Sequence, residues 1–141
     1  MSVVLVDSSV LLDVLTEDPR WFSWSAAALE HCASEGELAI NPIVYAEVSI
    51  RFARIEELDA VLPEREFRRL PLPWDAGFLA GKAFVKYRRR VGARSAPLPD
   101  FFIGAHAAIS RLSLLTRDAK RVRAYFPDVE LIAPGVAMPA A

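Results

Sequence analysis

Residues 3–6 read Val-Val-Leu-Val and run straight into a carboxylate, Asp7. No other feature restricts the fold as much as this short apolar run and its later counterparts, "ELAIN" at 37–41, "LSLLT" at 112–116 and "VELIA" at 129–133. A strand with one wet face alternates apolar and polar residues, whereas a strand covered on both faces is apolar nearly throughout. Between these runs lie segments with helix start signals, and alternation of strand and helix predicts a parallel sheet. The expected fold class is therefore α/β, a three-layer α/β/α sandwich around a central, mostly parallel sheet. In such sheets ligands bind beyond the carboxyl ends of the strands. Asp7 stands at one of those ends.

The chain reads as a single domain over 1–141, without repeats, low-complexity stretches or linkers. Strands are expected at 3–6, 37–41, 67–70, 112–116 and 129–133. Helices are expected at 9–15, 19–34 with Pro19 in the first turn, 42–52 capped by Asn41, 55–62, 74–90 ended by Gly92, 100–111 after the loop "GARSAPLP", and 119–125. At 141 residues, with 53% apolar and 25% charged residues, such a domain buries roughly two thirds of its unfolded surface. No apolar stretch approaches the ~20 residues needed to span a bilayer, and the chain enters its first strand with no signal-like segment. A soluble protein in the cytoplasm is the expectation. The lone Cys32 cannot form an internal disulfide, and no Cys/His cluster suits zinc.

Charge is divided along the chain. Residues 1–70 hold 6 Lys+Arg against 13 Asp+Glu, and residues 71–141 hold 11 against 5. That asymmetry suits an acidic pocket beside a phosphate-binding surface, although uneven solvated faces would produce it too.

Four carboxylates stand out. Asp7 and Asp118 each sit at a strand end just before a helix, and Asp100 begins an apolar helix behind two prolines, so each has a ready explanation as a helix cap. Glu47 shares a helix face with Ile43 and Ile50 and points inward, which is costly unless the charge is paired with an arginine such as Arg51 or Arg54, or bound to a metal. If the first and fourth strands are neighbours, Asp7 and Asp118 lie side by side. Converging carboxylates raise one another's pKa values unless a cation neutralises them, and an all-oxygen set suits Mg²⁺ or Mn²⁺. Ser9 and Thr116, each two residues from an aspartate, are placed to orient the set.

The blocks "VVLVDSSVLLD", "NPIVYAEVS", "LPDFFIGAHA" and "LLTRDAKRVRAYFPDVELI" resemble, in order and spacing, the signature blocks of PIN-domain ribonucleases, most closely the VapC-like toxins of bacterial toxin-antitoxin pairs. The middle of the chain, 53–98, carries no family motif. The resemblance implies a Mg²⁺- or Mn²⁺-dependent endoribonuclease, usually homodimeric and inhibited by a cognate antitoxin, with no membrane partner. It assigns the catalytic and metal-binding acids to Asp7, Glu47, Asp100 and Asp118, and the supporting hydroxyls to Ser9 and Thr116.

Beyond these blocks, the basic run "KYRRRVGAR" offers Arg88, Arg89, Arg90 and Arg94 to an RNA backbone, or simply a solvated helix end. Trp21, Phe22 and Trp24 suit either the core or a groove for a partner. His31, Cys32 and His106 read as structural. Two alternatives remain open: a PIN-fold binding module without catalysis, and a haloacid-dehalogenase-like phosphatase. The second would need an aspartate where Ser9 stands.

Overall fold

The computed structural model describes residues 2–91 and 98–136. Five strands form one all-parallel sheet: β1 (Ser2–Val6), β2 (Gly36–Ile40), β3 (Phe67–Arg69), β4 (Ser113–Leu115) and β5 (Leu131–Ile132), in the order β3-β2-β1-β4-β5. Seven helices connect them among the described residues: α1 (Ser8–Leu15), α2 (Phe22–Glu35), α3 (Pro42–Ser49), α4 (Ile55–Val61), α5 (Trp74–Val91), α6 (Pro99–Ser110) and α7 (Ala119–Tyr125). The chain winds one way from β1 through β2 to β3, then returns to the other side of β1 for β4 and β5. Parallel crossovers are right-handed as a rule, so winding in opposite directions from β1 places helices on both faces.

Burial agrees with two covered faces. Val4, Leu5 and Val6 are all buried, as are Leu38, Ala39 and Ile40, and Leu114 and Leu115. Neighbouring strand residues point to opposite faces, so consecutive buried residues require cover on each side. This is why the runs looked uniformly apolar in the sequence. The chain reverses direction between β1 and β4, and that is the point at which an open α/β sheet leaves a crevice at its carboxyl edge.

Helix boundaries depart from the sequence reading where side chains intervene. The second helix starts at Phe22, not at Pro19, because the Asp18 carboxylate accepts from the backbone N–H groups of Arg20 and Trp21 at 2.9 and 2.8 Å and holds 18–21 in turns. Asn41 caps α3 as expected, its Oδ1 accepting from Val44 N at 2.9 Å. That bond leaves the amide nitrogen of Asn41 to donate to Nδ1 of buried His106 at 3.0 Å, fixing the histidine as a neutral acceptor that ties α3 to α6. Burial pushes the His106 pKa down. α3 ends at Ser49 rather than 52, and β5 spans only two residues of the run at 129–133. The stop at Gly92 and nearly all of the loop after it lie outside the described residues.

α6 carries Asp100 and is held closely. Phe101 is fully buried, its ring 5.6 Å from Phe84, 5.2 Å from Tyr87 and 5.7 Å from Tyr125 between centroids. One turn later, a Cβ on Gly104 would come within 2.5 Å of the Phe126 ring. Gly104→Ala is therefore expected to cost about 1–3 kcal/mol through overpacking. Thermal unfolding checks this, and an unchanged midpoint would show that Phe126 turns aside freely. No helix among the described residues is long and apolar enough to cross a membrane.

Candidate active site

Asp7 leaves the carboxyl end of β1 with its backbone N–H bonded to Leu115 O at 2.9 Å, so strand pairing fixes its position. It occupies the N-cap position of α1, yet its side chain makes no capping bond. Its Oδ2 instead accepts from Ser9 Oγ and from Thr116 Oγ1, each at 2.8 Å. Oδ1 has only Ser8 Oγ, at 3.5 Å. One carboxylate oxygen is thus gripped by two hydroxyls, and the other has only that long contact.

The other acids come from three further elements. Asp118 follows β4 and does cap its helix, accepting from Arg121 N at 3.2 Å. Asp100, in the first turn of α6, makes no capping bond. Asp7, Asp100, Thr116, Asp118 and Arg121 line one small hollow of about 40 Å³, room for an ion and a water or two. Glu47 approaches from α3 and is half-buried, its Oε1 accepting from Ser8 Oγ at 2.9 Å. Neither Arg51 nor Arg54 pairs with it among the described residues, since Arg54 turns to Glu56 at 3.8 Å.

The acids feel one another. Burial pushes the Glu47 carboxyl up, the Ser8 bond works against that rise, and the charges of Asp7 and Asp100 add to it. Burial also pushes Asp100 up; Arg121 opposes this, while Asp7 and Asp118 reinforce it. An acid with a raised native pKa binds its proton more tightly folded than unfolded. In the metal-free protein its contribution to stability is therefore most favourable at low pH and declines as pH rises from the unfolded value through the folded one. Glu47→Gln keeps an oxygen for Ser8 and removes that penalty. It should raise the metal-free melting temperature at pH 7 by about 1–3 °C and leave it nearly unchanged at pH 4. A lower melting temperature at pH 7 would contradict this.

Two basic residues at the site were not singled out in the sequence. Arg121 reaches back along α7 to place Nη1 2.7 Å from Asp118 Oδ2 and 3.4 Å from Asp100 Oδ2, with its guanidinium carbon 5.8 Å from the centre of the Phe101 ring. It supplies positive charge between the two aspartates. Among the described residues, no three His, Cys, Asp or Glu side chains are grouped closely enough to hold an ion as they stand. Arg117, between Thr116 and Asp118, places Nε 2.6 Å from Asp13 Oδ2 and lies over the Trp21 ring at 5.2 Å. Asp13 is only 2% exposed and also accepts from Ser25 Oγ at 2.6 Å. Its sequence signal was a lone charge in the apolar helix "SSVLLDVL". Arg121 could have been found as the residue one helical turn after Asp118.

The remaining candidates scatter. Arg88, Arg89 and Arg90 are exposed on the last turn of α5, and Arg94 lies outside the described residues. Trp21 serves as a platform for Arg20 and Arg117, Trp24 packs against the core, and Phe22 is partly exposed, so the three do not form one groove. Cys32 is buried, and His31 lies near the end of α2, far along the chain from every acid of the site. A larger hollow of about 600 Å³ lies at the opposite edge of the sheet, where Gly36 and Phe67 begin their strands, and holds none of the four acids.

A five-stranded parallel sheet with carboxylates gathered at its switch point is the architecture of a known family. Residues 4–127 match the family model described as PIN domain, and the chain belongs to that family. Among solved structures it is similar to VapC and FitB toxins in their toxin-antitoxin complexes. VapBC2 from Rickettsia felis, bound to a DNA fragment from its promoter, aligns with TM-score 0.68 at 18% identity over 93% of this chain and 98% of that one. FitAcB from Neisseria gonorrhoeae aligns with TM-score 0.63 at 20% identity over 91% and 95%. A toxin-antitoxin complex from Klebsiella pneumoniae aligns with TM-score 0.65 at 24% identity over 89% and 94%. Curated proteins offer no match. Membership of the PIN family leaves the phosphatase alternative without support.

Proposed function

We propose that this protein is a Mg²⁺- or Mn²⁺-dependent endoribonuclease and the toxin of a toxin-antitoxin pair, acting as one domain and as a homodimer. The observation that carries the reading is the meeting of Asp7, Asp100, Asp118 and Thr116 around one hollow at the sheet's switch point, with Glu47 joined to Asp7 through Ser8. Each acid comes from a different element, and helix capping accounts for only one of them. The similar structures are toxins held with their antitoxins, which supports an antitoxin as the protein partner here.

The donors are all oxygens, the set that suits a hard divalent cation. Asp7, Asp100 and Asp118 would hold it, with Glu47 close by. Such a cation, when bound, polarises the scissile phosphate and lowers the pKa of a water for in-line attack. Ser9 and Thr116 fix the orientation of Asp7 at the wall of the hollow. Glu47, linked to Asp7 through Ser8, would complete the acidic set around the cation. Arg121, which pairs with Asp100 and Asp118, would offer positive charge to a phosphate bound at the hollow. Of the four basic candidates, Arg88, Arg89, Arg90 and Arg94, the first three lie on the helix end nearest the site in the chain and would meet the RNA backbone.

The test is cleavage of an end-labelled single-stranded RNA by purified protein. Cutting is expected with Mg²⁺ or Mn²⁺ and none with EDTA, with recovery on adding metal back. Equal cutting in EDTA would remove the mechanism, and intact RNA under every metal condition would favour the binding-module alternative.

A further inference from the structure

Beside the acidic hollow, and sharing Asp118 and Arg121 with it, lies a second cleft of about 360 Å³. Tyr87 and Arg90 of α5 form one wall; Lys120, Arg121 and Tyr125 of α7 form the other. The two tyrosine rings meet edge to face at 5.9 Å, and both pack on Phe101, the residue after Asp100. The aromatic wall of the cleft and the acid of the hollow are thus mounted on the same buried ring.

The charge here is the reverse of that next door. Arg90 and Lys120 are exposed and form no ion pair among the described residues. Arg88, two positions earlier, leans over the Phe84 ring at 5.8 Å and does not line the cleft. The basic run therefore divides, and of its described arginines only Arg90 lines this cleft. Unpaired cations, an aromatic wall and a volume within the range of small-ligand pockets make a fit for one nucleotide.

We infer that this cleft binds the nucleotide adjacent to the phosphodiester cut at the acidic hollow, with Arg90 and Lys120 on its phosphate and the tyrosine wall against its base. The inference rests on the nuclease reading and narrows it, because it assigns one nucleotide beside the cut to named residues. A base held in a duplex could not reach the aromatic wall.

The experiment measures anisotropy of a fluorescein-labelled 12-nucleotide single-stranded RNA with Ca²⁺ in place of Mg²⁺, a gel verifying that the RNA stays intact. Arg90→Ala/Lys120→Ala should weaken binding about tenfold at 0.1 M salt and reduce the slope of log affinity against log salt by about 1.4, the value for two lost contacts to a single strand. Tyr125→Leu should weaken binding about fivefold or more without changing the slope, with circular dichroism verifying its fold. Arg65→Ala/Arg68→Ala, at the opposite edge of the sheet, should bind as the wild type does. Wild-type affinity and slope in the Arg90/Lys120 variant, with wild-type protein binding and cutting RNA, would overturn the cleft assignment alone. Failure of the wild type to bind RNA would overturn both this inference and the nuclease reading.

Discussion

Asp7→Asn is expected to reduce metal-dependent RNA cleavage by roughly 10²–10³-fold, the range for removing one preorganised electrostatic contact from a reacting centre. An asparagine oxygen can still accept from Ser9 and Thr116, which both donate to one oxygen at 2.8 Å. What disappears is the charge. The same change relieves repulsion on Glu47 and Asp100, so the metal-free variant should melt no lower than the wild type. Cleavage assays beside thermal melts test both halves, and a variant that is inactive because it is unfolded would contradict the second. Growth on expression supplies a cellular readout: arrest by the wild type and none by the variant.

The largest effect on stability is expected from Arg117→Ala. Asp13 has a side chain 3% exposed, whereas that of Arg117 is 31% exposed. Removing the arginine leaves a buried carboxylate with only the Ser25 hydroxyl, and breaking a buried pair from that side costs about 3–5 kcal/mol. Asp13→Ala leaves a guanidinium that can turn to water or stay on Trp21, so it should cost less, about 1–3 kcal/mol. Urea unfolding of both variants measures the order. Equal losses would mean that the two charges are equally buried in solution. Arg117→Ala also releases the segment between Thr116 and Asp118 and should lose activity even where it remains folded.

The sheet was legible because each strand is covered on both faces and therefore shows an unbroken apolar run, and the positions of Asp7, Asp100 and Asp118 followed from strand ends and the proline-led helix. Their roles were less legible. Asp7 and Asp118 have the same sequence setting, a strand end before a helix, yet only Asp118 makes the capping bond. Ser9 is the local difference, and the second hydroxyl that draws Asp7 away belongs to Thr116, just past the neighbouring strand. Asp13 and Arg117 escaped for a similar reason: a buried pair between α1 and the loop after β4 has no spacing to read. Pro19 suggested the start of α2, but the preceding aspartate used its own side chain to make a turn first. Tyr87, Lys120 and Tyr125 look like ordinary helix residues until α5 and α7 are set side by side.

The bond from Thr116 to Asp7 joins positions 109 apart, so the acidic hollow cannot assemble until most of these residues have been made. During synthesis β1 and its aspartate leave the ribosome long before the partner strand and Asp118. A half-made chain holds Asp7 and Glu47 but neither Asp100 nor Asp118, so the hollow cannot form. The acidic hollow is therefore a product of the folded sheet and not of any local segment.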